Sequence, residues 1–211
     1  EDLSAFFFDI RKDCLYCDAP SDPKRRAYRK VLDVLFHALV RYASPVLVFT
    51  AEEVWRTLYP DRDSVHLLEW PELPELRHSR LREDDELLEK WETLRKYRSD
   101  VTEAIEPLRR EKKVGSGLEA EIAIDVHRHE HLPFLENTDL AELFISGEVN
   151  LVDEVIKTPY VPGRASEARI VVNTTSHHKC GRCWRHLPDV SEDGALCGRC
   201  ETVVGAMEAS A

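Results

Sequence analysis

The chain has 211 residues, 43% of them hydrophobic, and a formal net charge of −11. That composition supports a real core and more than one folded unit. No apolar run reaches the roughly 18 residues that span a bilayer, and no signal-peptide pattern opens the chain. These features argue against membrane and secreted classes and predict a cytoplasmic chain with reduced thiols. Glu1 is the first residue and Met207 the only methionine, which predicts a piece of a longer protein. The acidity is uneven. Residues 83–92 hold six acids and one lysine, whereas residues 11–41 hold eight bases against four acids. A local basic footprint bears on partner choice more than the total does.

In chain order, residues 1–113 read as mostly helix. Asp22 before Pro23 is an N-cap with proline at the first helical position. Tyr28, Val31, Leu32, Leu35, Leu39 and Tyr42 then recur at helical spacing as one apolar stripe. Arg26, Arg29, Lys30, Asp33, His37 and Arg41 fall on the opposite side of the wheel. Pro45 stops this helix. Thr50 and Glu53 have capping-box spacing, Phe49 and Val54 staple spacing, and Trp55 and Leu58 are expected to point inward before Pro60. Residues 61–76, with prolines at 71 and 74, read as extended surface chain. A long helix is expected from about residue 83, carrying Leu87, Trp91, Leu94, Val101, Ile105 and Leu108, with Arg98 in the skipped slot and a kink at Pro107. Four such helices predict an antiparallel bundle.

Gly115 and Gly117 mark a break. Residues 118–126, 145–155 and 168–173 are strand-like, and 130–144 predicts one or two short helices. Cys-Gly-Arg-Cys then occurs twice, placing Cys180, Cys183, Cys197 and Cys200 in a C-x2-C-x13-C-x2-C pattern. The glycines permit tight turns that aim paired sulfurs at one point. Four thiolates form a closed tetrahedral shell, the set preferred by a structural Zn²⁺. Rubredoxin-type iron takes similar ligands, and disulfides are arithmetically possible. Lys179, Arg182, Arg185 and Arg199 offset the charge of such a centre, with their remaining donors expected to face outward. Trp184 reads either as packing over the knuckle or as a platform for an unstacked base between Arg182 and Arg185. His177, His178 and His186 are left out of a shell that four sulfurs complete. Cys14 and Cys17 lack a second pair and read as ordinary small residues. The sequence contains no Gly-rich phosphate loop, nucleophile elbow or open metal site.

"LSAFFFDIRKDCLYCD" (3–18), "VLDVLFHALVRYASPVLVFTAEEVW" (31–55), "SVHLLEWPE" (64–72), "IEPLRREKKVGSGLEA" (105–120) and the paired knuckles together resemble bacterial isoleucyl-tRNA synthetases of class Ia. The likeness covers essentially this whole chain but only the C-terminal part of such enzymes. Members usually show Ser before Leu-Glu-Ala, where this chain has Gly117 after Ser116. The resemblance implies a mainly α chain with a small α+β part. Residues 1–114 would be a helical anticodon-binding domain, 115–176 a small α+β junction domain, and 177–211 a four-cysteine zinc-binding unit with a tail. It implies one structural zinc, the anticodon arm of isoleucine tRNA and the remainder of the synthetase chain as partners, and a monomer. The ATP, isoleucine and editing sites would lie upstream, and the HIGH and KMSKS signatures are absent from the sequence. This piece is therefore expected to catalyse nothing alone. Phosphate contacts are expected from Arg11, Lys12, Arg26, Arg29, Lys30 and Arg41, and base contacts from Trp184, Arg182 and Arg185. A zinc-stabilised protein-interaction module, or the same region of another class Ia synthetase, is the competing reading.

Overall fold

The computed structural model describes residues 2–71, 81–152 and 159–209, without the side chains of 81–84. The chain forms two compact units, residues 20–81 and residues 1–19 together with 82–211. The expectations that fall on 72–80 and 153–158 lie outside the described residues. No described helix is long and apolar enough to cross a membrane.

The smaller unit is built on helices α3 (Pro23–Ala43) and α4 (Val48–Leu58). Asp22 caps α3 as its sequence predicts, its Oδ1 accepting from Lys24 N at 2.8 Å and Arg25 N at 3.1 Å. The helix ends at Ala43, just before Pro45. Its inward side is not the expected stripe. Tyr28, Ala38 and Val40 are buried, whereas Val31, Leu39 and Tyr42 are exposed. His37, expected to face outward, packs among Phe36, Trp55 and Tyr59, edge-on to the first two, and meets the Tyr59 hydroxyl at 3.0 Å. Helix α4 also begins earlier than its capping pattern suggests. Leu47 N donates to Ala43 O, and the new helix starts at Val48 with no side-chain cap. Phe49 is consequently 90% exposed and staples nothing. Trp55 is buried, its Nε1 donating to Asp63 O at 2.9 Å, but Leu58 is exposed.

The larger unit opens with a π-helical segment (Asp2–Phe7) and short helices α1 (Phe8–Ile10) and α2 (Lys12–Cys17). After the long helix α5 (Leu81–Arg110) come β1 (Ala120–Asp125), α6 (Leu132–Glu136), α7 (Leu140–Phe144), β2 (Glu148–Val152), β3 (Val161–Pro162) and β4 (Arg169–Thr174). The strands form one sheet in the order β2-β1-β4-β3. β1 and β2 run parallel, pairing Ile122 with Val149, and the two short helices supply the crossover that a parallel pair requires. β4 runs antiparallel to β1, with Ile122 opposite Val172.

Sheet and helices share one core. Leu94, Tyr97, Val101 and Ile105 of α5 are buried with Ile122, Ile124 and Ile170 of the sheet and with Leu135, Leu143 and Phe144. The apolar stripe of α5, expected to serve a helical bundle, thus joins a sheet core, and Leu87 at its near end stays exposed. Arg98 fills the slot between Leu94 and Val101 by pairing with Asp9 at 3.3 Å and donating to Leu143 O. Pro107 lies inside α5, which runs on to Arg110. Buried Asp100 accepts from the backbone N–H groups of Arg164, Ala165 and Ser166, tying that loop to α5.

Candidate metal centre and nucleic-acid interface

Cys180, Cys183, Cys197 and Cys200 are all buried, and their sulfurs lie within 4.8 Å of one another. The Cys183 and Cys197 sulfurs are 3.9 Å apart. Metal–sulfur bonds of about 2.3 Å in a tetrahedron place neighbouring sulfurs about 3.8 Å apart, so the four thiols fit one zinc ion with no position open. Such an ion is structural. Among the described residues Glu121, Glu148 and His177 also converge, but those carboxylates already accept from Thr175 and Asn150.

The two Cys-Gly-Arg-Cys copies fold differently. The first is a turn, closed by Cys180 N to Arg185 O at 2.9 Å and Trp184 N to Cys180 O at 3.0 Å. The second opens helix α8 (Gly198–Glu208), with Cys197 as the N-cap residue and Gly198 N donating to Asp189 Oδ2. Neither glycine has a positive φ, although conformational freedom was expected to select both. Gly181 is required by space instead. A Cβ there would lie 2.4 Å from Gly194 O, where the two loops cross.

Burial opposes the thiolate of Cys180, but backbone N–H groups of Cys183, Arg182 and Cys197 outweigh it and bring the thiol down to about 6. Burial and the adjacent sulfurs push Cys183 up to about 12. A bound dication would displace the thiol protons of all four cysteines together.

The arginines around the centre are committed inside the fold, which corrects the outward-facing expectation. Arg182 donates to Cys17 O at 2.6 Å and Tyr16 O at 3.1 Å, satisfying carbonyls at the end of α2. Arg199 grips Asp13 at 2.6 and 2.8 Å and Asp18 at 3.1 Å. Burial opposes ionisation of Asp13, yet Arg199 holds its carboxyl below the usual range. Arg185 donates to Gly147 O, beside the sheet. Together these contacts fix the knuckle unit against α2 and the sheet. Cys17, read from sequence as an ordinary small residue, packs with the four ligand cysteines. Burial, then Asp13, pushes its thiol up to about 11.

The other candidate cations stand as follows. Arg26, Arg29 and Lys30 are exposed on α3, with Lys30 3.5 Å from Asp33. Arg41 is half-buried and donates to Glu69 O. Arg11 pairs with Glu142 at 3.0 Å and Lys12 with Asp9 at 2.9 Å. Trp184 does not pack over the knuckle. It is 62% exposed, with Lys179 Nζ 5.5 Å from its ring centroid.

Residues 1–124 match the anticodon-binding domain of tRNA ligase, and residues 178–203 match the zinc finger found in FPG and IleRS. The isoleucine–tRNA ligase of Zymomonas mobilis is 54% identical over 209 residues, covering 97% of this chain and 20% of that protein. Those of Gluconobacter oxydans and Natranaerobius thermophilus are 45% and 35% identical, over 97% and 96% of the chain. The chain spans about a fifth of the length of the curated relatives it matches. On these matches, and with four buried cysteines placed where the finger requires its metal, the chain belongs to the anticodon-binding domain family of tRNA ligases and carries a structural zinc finger.

Proposed function

We propose that this chain is the tRNA-binding, anticodon-recognising region of an isoleucine–tRNA ligase, which joins isoleucine to its tRNA at the expense of ATP. The observation that carries the reading is the co-occurrence, in one chain, of the anticodon-binding match and the zinc-finger match, each over the residues its chemistry needs. In this reading residues 1–114 belong to the class Ia helical anticodon-binding domain, 115–176 to a junction domain and 177–211 to the zinc unit. The partners are the anticodon arm of isoleucine tRNA and the remainder of the ligase, in a cytoplasmic monomer.

The residues divide the work. Arg26, Arg29 and Lys30 offer exposed charge to phosphates, supported by Arg41 and Lys12, and such contacts position RNA without reading it. Trp184 offers a ring face to an unstacked base. Arg11, Arg182 and Arg185 act through the scaffold, the first joining the start of α2 to α7 and the other two holding the knuckle to α2 and the edge of the sheet. The ion completes the turn that carries Trp184, and the chemistry of aminoacylation belongs to other parts of the enzyme.

The test is a titration of the zinc-loaded chain with isoleucine tRNA and an anticodon-altered control at two salt concentrations. Tighter binding of the cognate tRNA is expected, with affinity falling steeply with salt as several counterions are released. Equal binding of both RNAs with a flat salt response would overturn the reading in favour of a protein-interaction module.

A further inference from the structure

Helix α2, the end of α7 and the first knuckle enclose a cleft of about 540 Å³. That volume lies in the range of small-ligand sites, roughly 300–1,000 Å³. Two features set it apart from an ordinary surface groove. Its lining includes two large aromatic side chains that are mostly in solvent, Tyr16 at 70% and Trp184 at 62% exposure. It is also lined by two of the four non-glycine residues with positive φ among the described residues, Ile145 at 54° and Trp184 at 65°. Glycine adopts that conformation at little cost, whereas a β-branched or bulky residue is an outlier there. Backbone held in such a region marks functional sites when the surroundings enforce it. Here they do. Ile145 ends α7, its N–H donating to Glu142 O, and Trp184 N closes the knuckle on Cys180 O. The exposed Trp184 ring recovers little by packing.

Much of the polar lining is already engaged, although the buried Arg185 Nε has no hydrogen-bond partner. Asp13 is held by Arg199, Glu142 by Arg11, and the Arg182 donors by carbonyls of α2. A cleft whose carboxylates are ion-paired and whose lining carries two exposed rings suits a flat ligand with apolar faces. We propose that this cleft receives one unstacked base of an RNA loop, with Tyr16 as a base-contacting residue alongside Trp184. The inference rests on the tRNA-binding reading above and adds to it the place and the second aromatic partner. Aromatic contact with unstacked bases is a common means of single-strand recognition.

The probe is the anticodon stem–loop of isoleucine tRNA carrying 2-aminopurine at each loop position in turn, titrated with the zinc-loaded chain. One loop position is expected to change its fluorescence strongly on binding. Tyr16→Ala and Trp184→Gly should each abolish that change and weaken binding about tenfold, the lower part of the range for a lost base–aromatic stack. Tyr16→Phe should preserve both. Trp184→Gly also relieves the positive φ, so its thermal midpoint should hold or rise, which separates lost binding from lost folding. Wild-type binding with the signal intact in Tyr16→Ala and Trp184→Gly overturns the cleft and leaves the tRNA reading standing. So does weakened binding in which no loop position reports a change. Absence of binding by the wild-type chain to whole isoleucine tRNA overturns both.

Discussion

Cys180–Cys183 and Cys197–Cys200 have the same four residues and different structures. The first copy turns back on itself and leads into a tryptophan in left-handed backbone. The second begins a helix that runs eleven residues to Glu208. The residues after each copy decide the outcome. Trp-Arg-His-Leu-Pro has a proline at position 188 and no room for a helix, whereas Glu-Thr-Val-Val-Gly-Ala-Met-Glu continues without a break. Even the shared arginine works differently in each. Arg182 donates to neutral carbonyls of Tyr16 and Cys17, and Arg199 to the carboxylates of Asp13 and Asp18. A repeated motif therefore fixes the sulfurs and leaves the backbone, the glycines and the arginines to their surroundings.

Removing the ion strikes both copies and has the largest expected effect. Structural zinc in small finger units binds with an apparent free energy of about 10 kcal/mol or more. Strong chelation should abolish amide-exchange protection across 178–203 while α3 and α4, which have a separate core around Trp55, keep theirs. Retained protection across the knuckles would show that the arginine clamps alone hold them.

The glycines come next. Gly181→Ala should cost about 3 kcal/mol, because its Cβ meets a backbone oxygen that cannot move aside. Gly198→Ala meets only the end of the Asp189 side chain at 3.3 Å and sits in the first turn of a helix, so its effect should stay within about 0.5 kcal/mol. Denaturant unfolding of the two variants measures the contrast, and equal losses would refute the spatial explanation.

The arginines divide similarly on a smaller scale. Arg199→Ala should lose about 3 kcal/mol and Arg182→Ala about 1.5 kcal/mol, the upper and lower parts of the range for hydrogen bonds that involve a charged group. A control from the other unit gives the smallest effect. Arg29→Ala, exposed on α3, should leave stability unchanged within about 0.5 kcal/mol. In tRNA binding it should lower the salt slope by about one if Arg29 contacts a phosphate.

Several of these features are visible in the amino-acid order because they are local. The Asp22-Pro23 start of α3 needs only its own next three residues. The strand-like runs 118–126 and 168–173 stand out without reference to a partner and contain most of β1 and β4. The reverse holds for α4, where Thr50 and Glu53 have perfect capping spacing. The turn at Pro45 instead brings Leu47 N within reach of Ala43 O, and the helix starts two residues before the box can act. The inward side of α3 departs from its apolar stripe for a related reason. Periodicity finds a face, but the rings of Trp55 and Tyr59 choose Phe36 and His37 over Leu39.

By itself the sequence determined the ligand set, since four thiols at knuckle spacing converge on one ion, and it determined roughly where most helices and strands lie, since periodicity and caps act within a few residues. Tertiary structure alone decided what the charges and rings do. Arg199 reaches Asp13 across 186 positions of chain, Cys17 lies against the ligand cysteines, and Tyr16, Ile145 and Trp184 line one cleft. Such encounters depend on how separate elements dock, and the spacing of residues along a chain carries no measure of that distance.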